Sequence, residues 1–368
     1  MAKFKDICTK IGSGATPRGG KEAYCEDGIS LIRSQNVLDF TFSAGGLVYI
    51  NELQAEKLKN VIVEEDDVLL NITGDSVARA CIVDKNYLPA RVNQHVCIIR
   101  ANSSKVIPSY LLYYLQLNKE YLLQLASGGA TRNALTKDMV NNLELELPTV
   151  EEQQKIVAVL NDIQKKIYCN NAVNENLQQQ AQAIYCDMFI TNVNPSWQLG
   201  RLSNLITVRY GKDHKKLADG IYPVYGSGGI MRYVEKPLYD KESVLIPRKG
   251  TLNNVMYVNK PFWSVDTMFF TEMKLPNVAK FVFHFVKSKN LASLNAGSAV
   301  PSMTTDILNA MELSIPDADT FYKFENIVAP LYQAMQQNTQ ESSKLAELRD
   351  SLLPRLMSGE IDVADIDL

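Results

Sequence analysis

The 368-residue chain is 46% apolar and 21% charged, the makeup of a globular protein with room for two domains and connecting structure. Its longest apolar runs, such as 281–286 (FVFHFV), fall far short of the ~20 residues a membrane span needs, and MAKFKDICTK lacks the apolar stretch of a secretory signal. A net charge of −3 excludes a simple polycationic coat for nucleic acid, but residues 195–317 hold 15 basic and 10 acidic residues while 318–368 hold 4 and 9.

In chain order, residues 1–150 alternate short β-prone runs with Gly, Asn and Asp clusters. The runs are 30–37 (SLIRSQNV), 60–70 (NVIVEEDDVLL), 80–83 (ACIV) and 95–100 (HVCIIR). A helix follows Pro108 (108–115), then a Gly-rich loop and a short strand (LELELP). The spacing predicts a long helix over 151–192. Within it Ile156, Leu160, Ile163, Ile167, Asn170, Asn174, Leu177, Ala181, Ile184 and Met188 alternate in steps of 4 and 3, a heptad seam that is polar in the middle. Glu151 and Glu152, after Thr149, suit the positive end of that helix. Residues 193–317 repeat the plan, with a helix over 278–287 and a strand at MELSIP. A second long helix is predicted over 318–358, with Ile327, Leu331, Ala334, Asn338, Glu341, Leu345, Leu348 and Leu352 on its seam. Pro330 marks a kink or a late start and Pro354 the neighbourhood of its end; a tail, 359–368, follows. Stripes this long and narrow predict two helices packed on each other as an antiparallel pair, in preference to each packing only on its own domain.

The two halves are copies of one unit. Residues 129–148 align without a gap on 297–316, so that Asp138/Asp306, Glu144/Glu312 and Pro148/Pro316 coincide. Ile156-Val-Ala-Val-Leu160 then matches Ile327-Val-Ala-Pro-Leu331. Upstream, 66–75 (DDVLLNITGD) pairs with 242–251 (ESVLIPRKGT). Their shared order makes duplication the better explanation. The predicted fold class is mixed α/β (α+β): two repeated globular domains and two long antiparallel helices.

Chemistry-bearing motifs fail on inspection. The stretch 12–21 (GSGATPRGGK) has Ala15 where a Walker A loop needs its first glycine, and Glu22 after the lysine. Asn194-Pro195-Ser196-Trp197 lacks the second proline of the amino-methyltransferase motif. His95, His214 and His284 are scattered, and six cysteines without a CxxC pair read as free thiols of a reducing cytoplasm. No catalytic residue, metal site or bound cofactor is predicted. What remains is hydrogen-bonding side chains in loops: Thr16, Arg18, Arg33, Gln35, Asn36, Arg79, Arg91, Asn93, Gln94, Thr131 and Arg132 in the first domain. The second offers Lys212, Tyr225, Ser227, Arg232, Arg248, Lys249, Asn253, Asn254, Ser302 and Thr304. Arg suits guanine, Asn and Gln suit adenine, and Lys, Ser, Thr and glycine-loop amides suit phosphates, so these are candidate DNA contacts; the same residue types also make ordinary turns.

GSGATPRGG followed by GISLIRSQN, the junction GGATRNALTKDMVNNLELELPTVEEQQKIVAVL, and the C-terminal ELRDSLLPRLMSGEIDV together resemble the specificity subunits of type I restriction-modification systems, over essentially the full length. The resemblance implies target-recognition domains at 1–150 and 193–317, each reading one half of a bipartite, asymmetric site in double-stranded DNA. The helices would set the spacing and carry two methyltransferase subunits, which bind S-adenosylmethionine; ATP- and Mg-dependent restriction subunits join them. The chain itself would be a cytoplasmic, non-catalytic recognition subunit without a cofactor. Two departures stand out: residues 317–324 (DADTFYKF) replace the family-like 149–156 (TVEEQQKI), and the Gly- and Tyr-rich 210–232 is little like the first copy. Different loops on one scaffold predict a non-palindromic target. A single-chain restriction or methylation enzyme and a coiled-coil adaptor without DNA reading are the rival readings.

Overall fold

A computed structural model of the chain describes residues 1–17, 19–128, 133–294 and 302–364. It falls into two compact units, one made of Met1–Asn170 with Gln340–Leu368 and the other of Asn171–Thr339. Both are mixed α/β.

Unit 1 opens with β1 (Ala2–Lys3), α1 (Phe4–Ile7), β2 (Cys8–Ser13), β3 (Ile29–Ile32), β4 (Val48–Ile50) and α2 (Glu52–Lys57). β5 (Ile62–Val63), β6 (Val68–Asn71), β7 (Ala80–Ile82), β8 (Ala90–Val92) and β9 (Val96–Ala101) follow. α3 (Pro108–Leu117), α4 (Lys119–Ser127), α5 (Lys137–Asn141) and β10 (Glu144–Leu145) lead to α6 (Val150–Cys186). One sheet runs β2-β9-β6-β7, all antiparallel. A second runs β4-β3-β8-β5, with β3 and β8 parallel. β6 is buried on both faces: Val68 and Leu70 share a core with Tyr110 and Leu111 of α3, while Leu69 enters a second core with Ile32 and Val92. Ile99 and Ile98 of β9 divide in the same way. Alternation with both faces covered is why these strands read as unbroken apolar runs. Cys81 and Cys97 lie in these cores, where burial pushes both thiols up to about 12, so they pack as small apolar side chains.

Unit 2 repeats this order with β11 (Gln198–Arg201), α7 (Leu202–Leu205), β12 (Ile206–Tyr210), β13 (Asp219–Gly226), β14 (Gly229–Val234), β15 (Ser243–Pro247) and β16 (Met256–Val258). Then come β17 (Trp263–Ser264), β18 (Met268–Met273), α8 (Ala279–Lys287), α9 (Thr305–Asn309), β19 (Glu312–Ile315) and α10 (Ala318–Met357). Its sheet β12-β18-β15-β16 has the strand order of β2-β9-β6-β7, and β13 pairs in parallel with β17 as β3 does with β8.

The duplication extends to single hydrogen bonds. Leu135 N donates to Ile72 O (2.8 Å) and Met303 N to Arg248 O (2.9 Å); Thr73 bridges to Ala134 and Lys249 to Ser302. These are the positions that the two upstream and downstream sequence alignments superpose. Beside each bridge a glycine, Gly74 or Gly250, holds φ at +78° or +83°, a left-handed turn where a side chain would be strained.

α6 begins in a capping box: Thr149 Oγ1 accepts from Glu152 N (3.2 Å) and Glu152 Oε2 accepts from Thr149 N (2.8 Å). α10 starts instead on Asp317, whose Oδ1 accepts from Thr320 N (2.7 Å). Both helices contribute to both units. In unit 1, Arg349 Nη1 donates to Gln164 Oε1 (2.6 Å) and Asn170 Nδ2 to Glu341 Oε2 (2.8 Å). In unit 2, Asn174 Nδ2 donates to Thr339 Oγ1 (3.3 Å) and Asn338 Nδ2 to Asn174 Oδ1 (2.9 Å). Within each unit the pairing is antiparallel, and the polar seam residues satisfy one another. The helix ends also pack on their own domains, Ile156 and Leu160 in the unit 1 core and Tyr185 and Phe189 in that of unit 2.

Expectations for α10 are corrected in part. Leu331, Asn338, Glu341 and Leu352 of the predicted seam do face α6 or a core, but Ile327 and Leu348 are 50% and 46% exposed, and their neighbours Val328 and Arg349, with Tyr332 and Leu353, are buried. The aromatic anchors Phe321, Phe324 and Tyr332, all in the unit 2 core, set the rotation of the helix. Pro330 lies inside the helix rather than at its start; it withholds one hydrogen bond, to the carbonyl four residues back, without ending the helix.

Candidate nucleic-acid interface

At one edge of unit 1, loops from β3, β6 and β8 surround an open cleft of about 450 Å³. Gln35, Thr73, Asp75, Ser76, Arg79 and His95 line it. The cleft is lined by residues with polar side chains and ordered by their hydrogen bonds: Thr73 Oγ1 meets His95 Nδ1 (2.5 Å), Gln94 Nε2 meets His95 Nε2 (3.0 Å), and Thr16 Oγ1 donates to Gln94 Oε1 (2.5 Å). The chain returns beside this row after α4, where Gly74 N donates to Asn133 O (3.2 Å). The Arg79 side chain makes no ion pair or hydrogen bond among the described residues, so its guanidinium is available to a ligand at the rim. Arg18, Thr131 and Arg132 lie outside the described residues.

Several first-domain candidates have internal work. Asn36 is fully buried; its Nδ2 donates to Ser43 O (2.9 Å) and its Oδ1 accepts from Arg33 N (3.0 Å). Arg91 is buried and donates to Ala55 O (3.2 Å) and Ala90 O (3.0 Å). Asn93 is buried and accepts from His95 N (3.0 Å). These three shape the loops and present nothing to a ligand. Arg33 and Gln35 both reach Gly46 O (2.5 and 2.9 Å), which ties down the arginine; the exposed Gln35 keeps its carbonyl oxygen for other use. Thr73, Asp75 and Ser76 escape the sequence reading. The alignment of 66–75 on 242–251 carried the signal, since Thr73 falls opposite Lys249.

The corresponding edge of unit 2 gathers most of its candidates. Asn254 Nδ2 donates to Ser227 O (2.8 Å) at the tip of the β13–β14 hairpin. A Cβ on Gly250 would stand 2.6 Å from Ser227 Oγ, so hairpin tip and loop approach closely. Arg248 lies over the Tyr210 ring (5.3 Å), Lys249 is exposed beside Ser302, and Asn253 Nδ2 donates to Asn290 Oδ1 (3.2 Å). Lys212 is exposed, with its carbonyl accepting from Trp263 Nε1 (2.8 Å). Four candidates have structural duties: Asn253 Oδ1 also accepts from Ala292 N (3.1 Å), Tyr225 is 9% exposed and packs in the core, Arg232 pairs with Asp219 (2.7 Å) and Leu217 O (3.0 Å), and Thr304 Oγ1 caps α9 through Ile307 N (3.3 Å).

The sequence profile of the family described as type I restriction modification DNA specificity domain matches residues 1–179 and 194–347. The chain belongs to that family. It is 23% identical to the type I restriction enzyme MjaIX specificity subunit of Methanocaldococcus jannaschii, over 100% of this chain and 94% of that one. Against the HindI specificity subunit of Haemophilus influenzae it is 21% identical, over 90% and 94%. The crystal structure of a type I restriction-modification S subunit from M. genitalium shares the fold, with a TM-score of 0.53, 17% identity and coverage of 96% and 95%. This specificity subunit is therefore a non-catalytic recognition subunit with two target-recognition domains. Among its described residues no helix is long and apolar enough to cross a membrane.

Proposed function

We propose that the two domains each read one half of a bipartite, asymmetric site in double-stranded DNA, through the edges just described. The observation that carries this reading is the repeated bridge, Thr73–Ala134 and Lys249–Ser302, which brings equivalent loops together in both units while the side chains on them differ. An identical frame with different donors and acceptors fits two different half-sites. Arg79, Gln35 and Asp75 in unit 1, and Arg248 and Lys249 in unit 2, are the residues expected to meet base edges or phosphates; Arg18, Thr131 and Arg132 are expected to join them. The target-recognition domains span 1–150 and 193–317, the spacer helices 151–192 and 318–358, and the tail 359–368. The spacer helices carry two methyltransferase subunits that supply S-adenosylmethionine, restriction subunits using ATP and Mg complete the complex, and this chain works in the cytoplasm without a cofactor of its own.

The test is Arg79→Ala in the assembled methyltransferase, with methylated sites read by single-molecule sequencing. Loss of a bidentate base contact costs about 1–3 kcal/mol of discrimination, so one half-site should relax at one position while the other stays unchanged. An unaltered methylation pattern would remove Arg79 from the interface.

A further inference from the structure

The β13–β14 hairpin carries large apolar side chains that the core does not use. Val224 and Val234 are fully buried, whereas Ile221 and Met231, each at a shift in the strand register, and Tyr233 remain 77%, 61% and 49% exposed. A strand surface open to solvent normally carries polar side chains. The loop leading into β13 has a net positive charge: Lys212, Lys215 and Lys216 are exposed and form no ion pair among the described residues, against one carboxylate there, Asp213. That loop is tied to the hairpin by Arg232, which donates to Leu217 O (3.0 Å). The tip is tied by Asn254 to the loop bearing Arg248 and Lys249, so the apolar face continues the DNA edge of unit 2.

An apolar face within a basic rim must meet something both anionic and locally apolar. B-form DNA satisfies both: its major groove is wide enough for a two-stranded ribbon, and the one apolar group on its base edges is the thymine C5-methyl. We propose that this hairpin enters the major groove of the unit 2 half-site and that Met231 packs on a thymine methyl, with Ile221 and Tyr233 extending the contact. The inference rests on the DNA-reading function proposed above and adds the base class that this hairpin selects. Met suits the task, since its unbranched thioether adapts to the position of a methyl group.

The experiment uses the full chain assembled with its methyltransferase partner. Affinity is measured for the cognate duplex, a scrambled duplex, and duplexes in which each thymine of the unit 2 half-site is replaced in turn by deoxyuridine, which lacks only the methyl. The half-sites are assigned by the Arg79→Ala experiment. Removing one buried methyl should weaken binding about fourfold at one position, and in Met231→Ala the same deoxyuridine should have no further effect. Met231→Gln, matched in length, checks that lost apolar contact rather than lost bulk is responsible. The proposal is overturned if every deoxyuridine is silent, if the loss persists in Met231→Ala, or if the half-site contains no A·T pair. Equal affinity for cognate and scrambled duplexes would overturn the underlying DNA reading as well; retained preference with silent deoxyuridines overturns the hairpin contact alone.

Discussion

The strand that leads to the proposed DNA edge leaves its sheet differently in the two units. After β3 of unit 1 the chain travels through residues 33–47 before returning as β4, and it spends Arg33, Gln35 and Asn36 on the carbonyls of that loop. After β13 of unit 2 it turns at Ser227-Gly228 and comes straight back, with Gly226 opposite Gly229. The first solution yields a concave, polar edge with a cleft; the second yields a protruding ribbon with an apolar face. Beneath them the frame is the same, down to the bridge and the positive-φ glycine beside it. The duplicated scaffold fixes where an edge stands, and the connection after one strand decides what chemistry it offers.

The strongest way to break this comparison is to attack the shared frame. Gly14, after β2, has no room for a side chain, since a Cβ would lie 1.8 Å from Val92 O; one on Gly211, after β12, would lie 2.0 Å from Val265 O. Gly14→Ala and Gly211→Ala should each cost on the order of 4 kcal/mol, because backbone must move to admit the methyl. The chain's two tryptophans, Trp197 and Trp263, both lie in unit 2, so Trp fluorescence in denaturant follows that unit and far-UV circular dichroism follows both. A cost under about 1 kcal/mol at either glycine would mean that the two frames are not equally tight.

A second comparison concerns how each domain holds its long helix. Unit 1 uses a phenol, Tyr113 Oη donating to Asn161 Oδ1 (3.0 Å), in a setting where burial raises the tyrosine further from titration. Unit 2 uses His284, whose Nδ1 meets Gln182 Oε1 (2.8 Å) and whose Nε2 meets Tyr332 Oη (2.9 Å). Burial, aided by Lys287, lowers this imidazole to about 4. The unfolded chain binds the proton from about pH 6.5 downward, while the folded chain does not until about pH 4. Stability is therefore complete above pH 6.5 and lost as pH falls toward 4, by on the order of 3 kcal/mol. Trp-monitored unfolding between these limits should show the slope, and His284→Phe should flatten it. A slope that survives the substitution would assign it to other groups.

Much of this plan was readable in advance, for definite reasons. The heptad of α6 and the apolar runs of β6 and β9 show because packing on fixed faces enforces a period. The α10 frame showed only in part: Asn338 and Glu341 meet α6 as the stripe suggests, while the aromatic anchors Phe321, Phe324 and Tyr332 bury Val328 and leave Ile327 exposed. For the proposed DNA edge, composition singled out loops but could not separate Asn36, Arg91 and Asn93, consumed inside them, from Gln35 and Arg79 at their surface. Asn and Arg are equally apt for a turn carbonyl and for a base, and only burial tells the two uses apart.

The smallest expected effect separates frame from edge at one residue. Thr136 and Thr304 are equivalent caps, accepting from Met139 N (3.2 Å) and Ile307 N (3.3 Å). Each Thr→Ala should cost about 1 kcal/mol of stability, and as caps alone they should leave DNA affinity alike. Thr304 was also a candidate DNA contact on sequence grounds, and it stands two residues from Ser302, which bridges to Lys249. Its hydroxyl keeps its proton while it accepts the cap hydrogen bond, so it can still donate to a phosphate. If Thr304→Ala weakens binding more than Thr136→Ala does at matched stability loss, the residue serves both purposes. If the two variants lose stability and affinity in equal measure, Thr304 belongs to the frame, and the edge of unit 2 ends at Lys249 and Ser302.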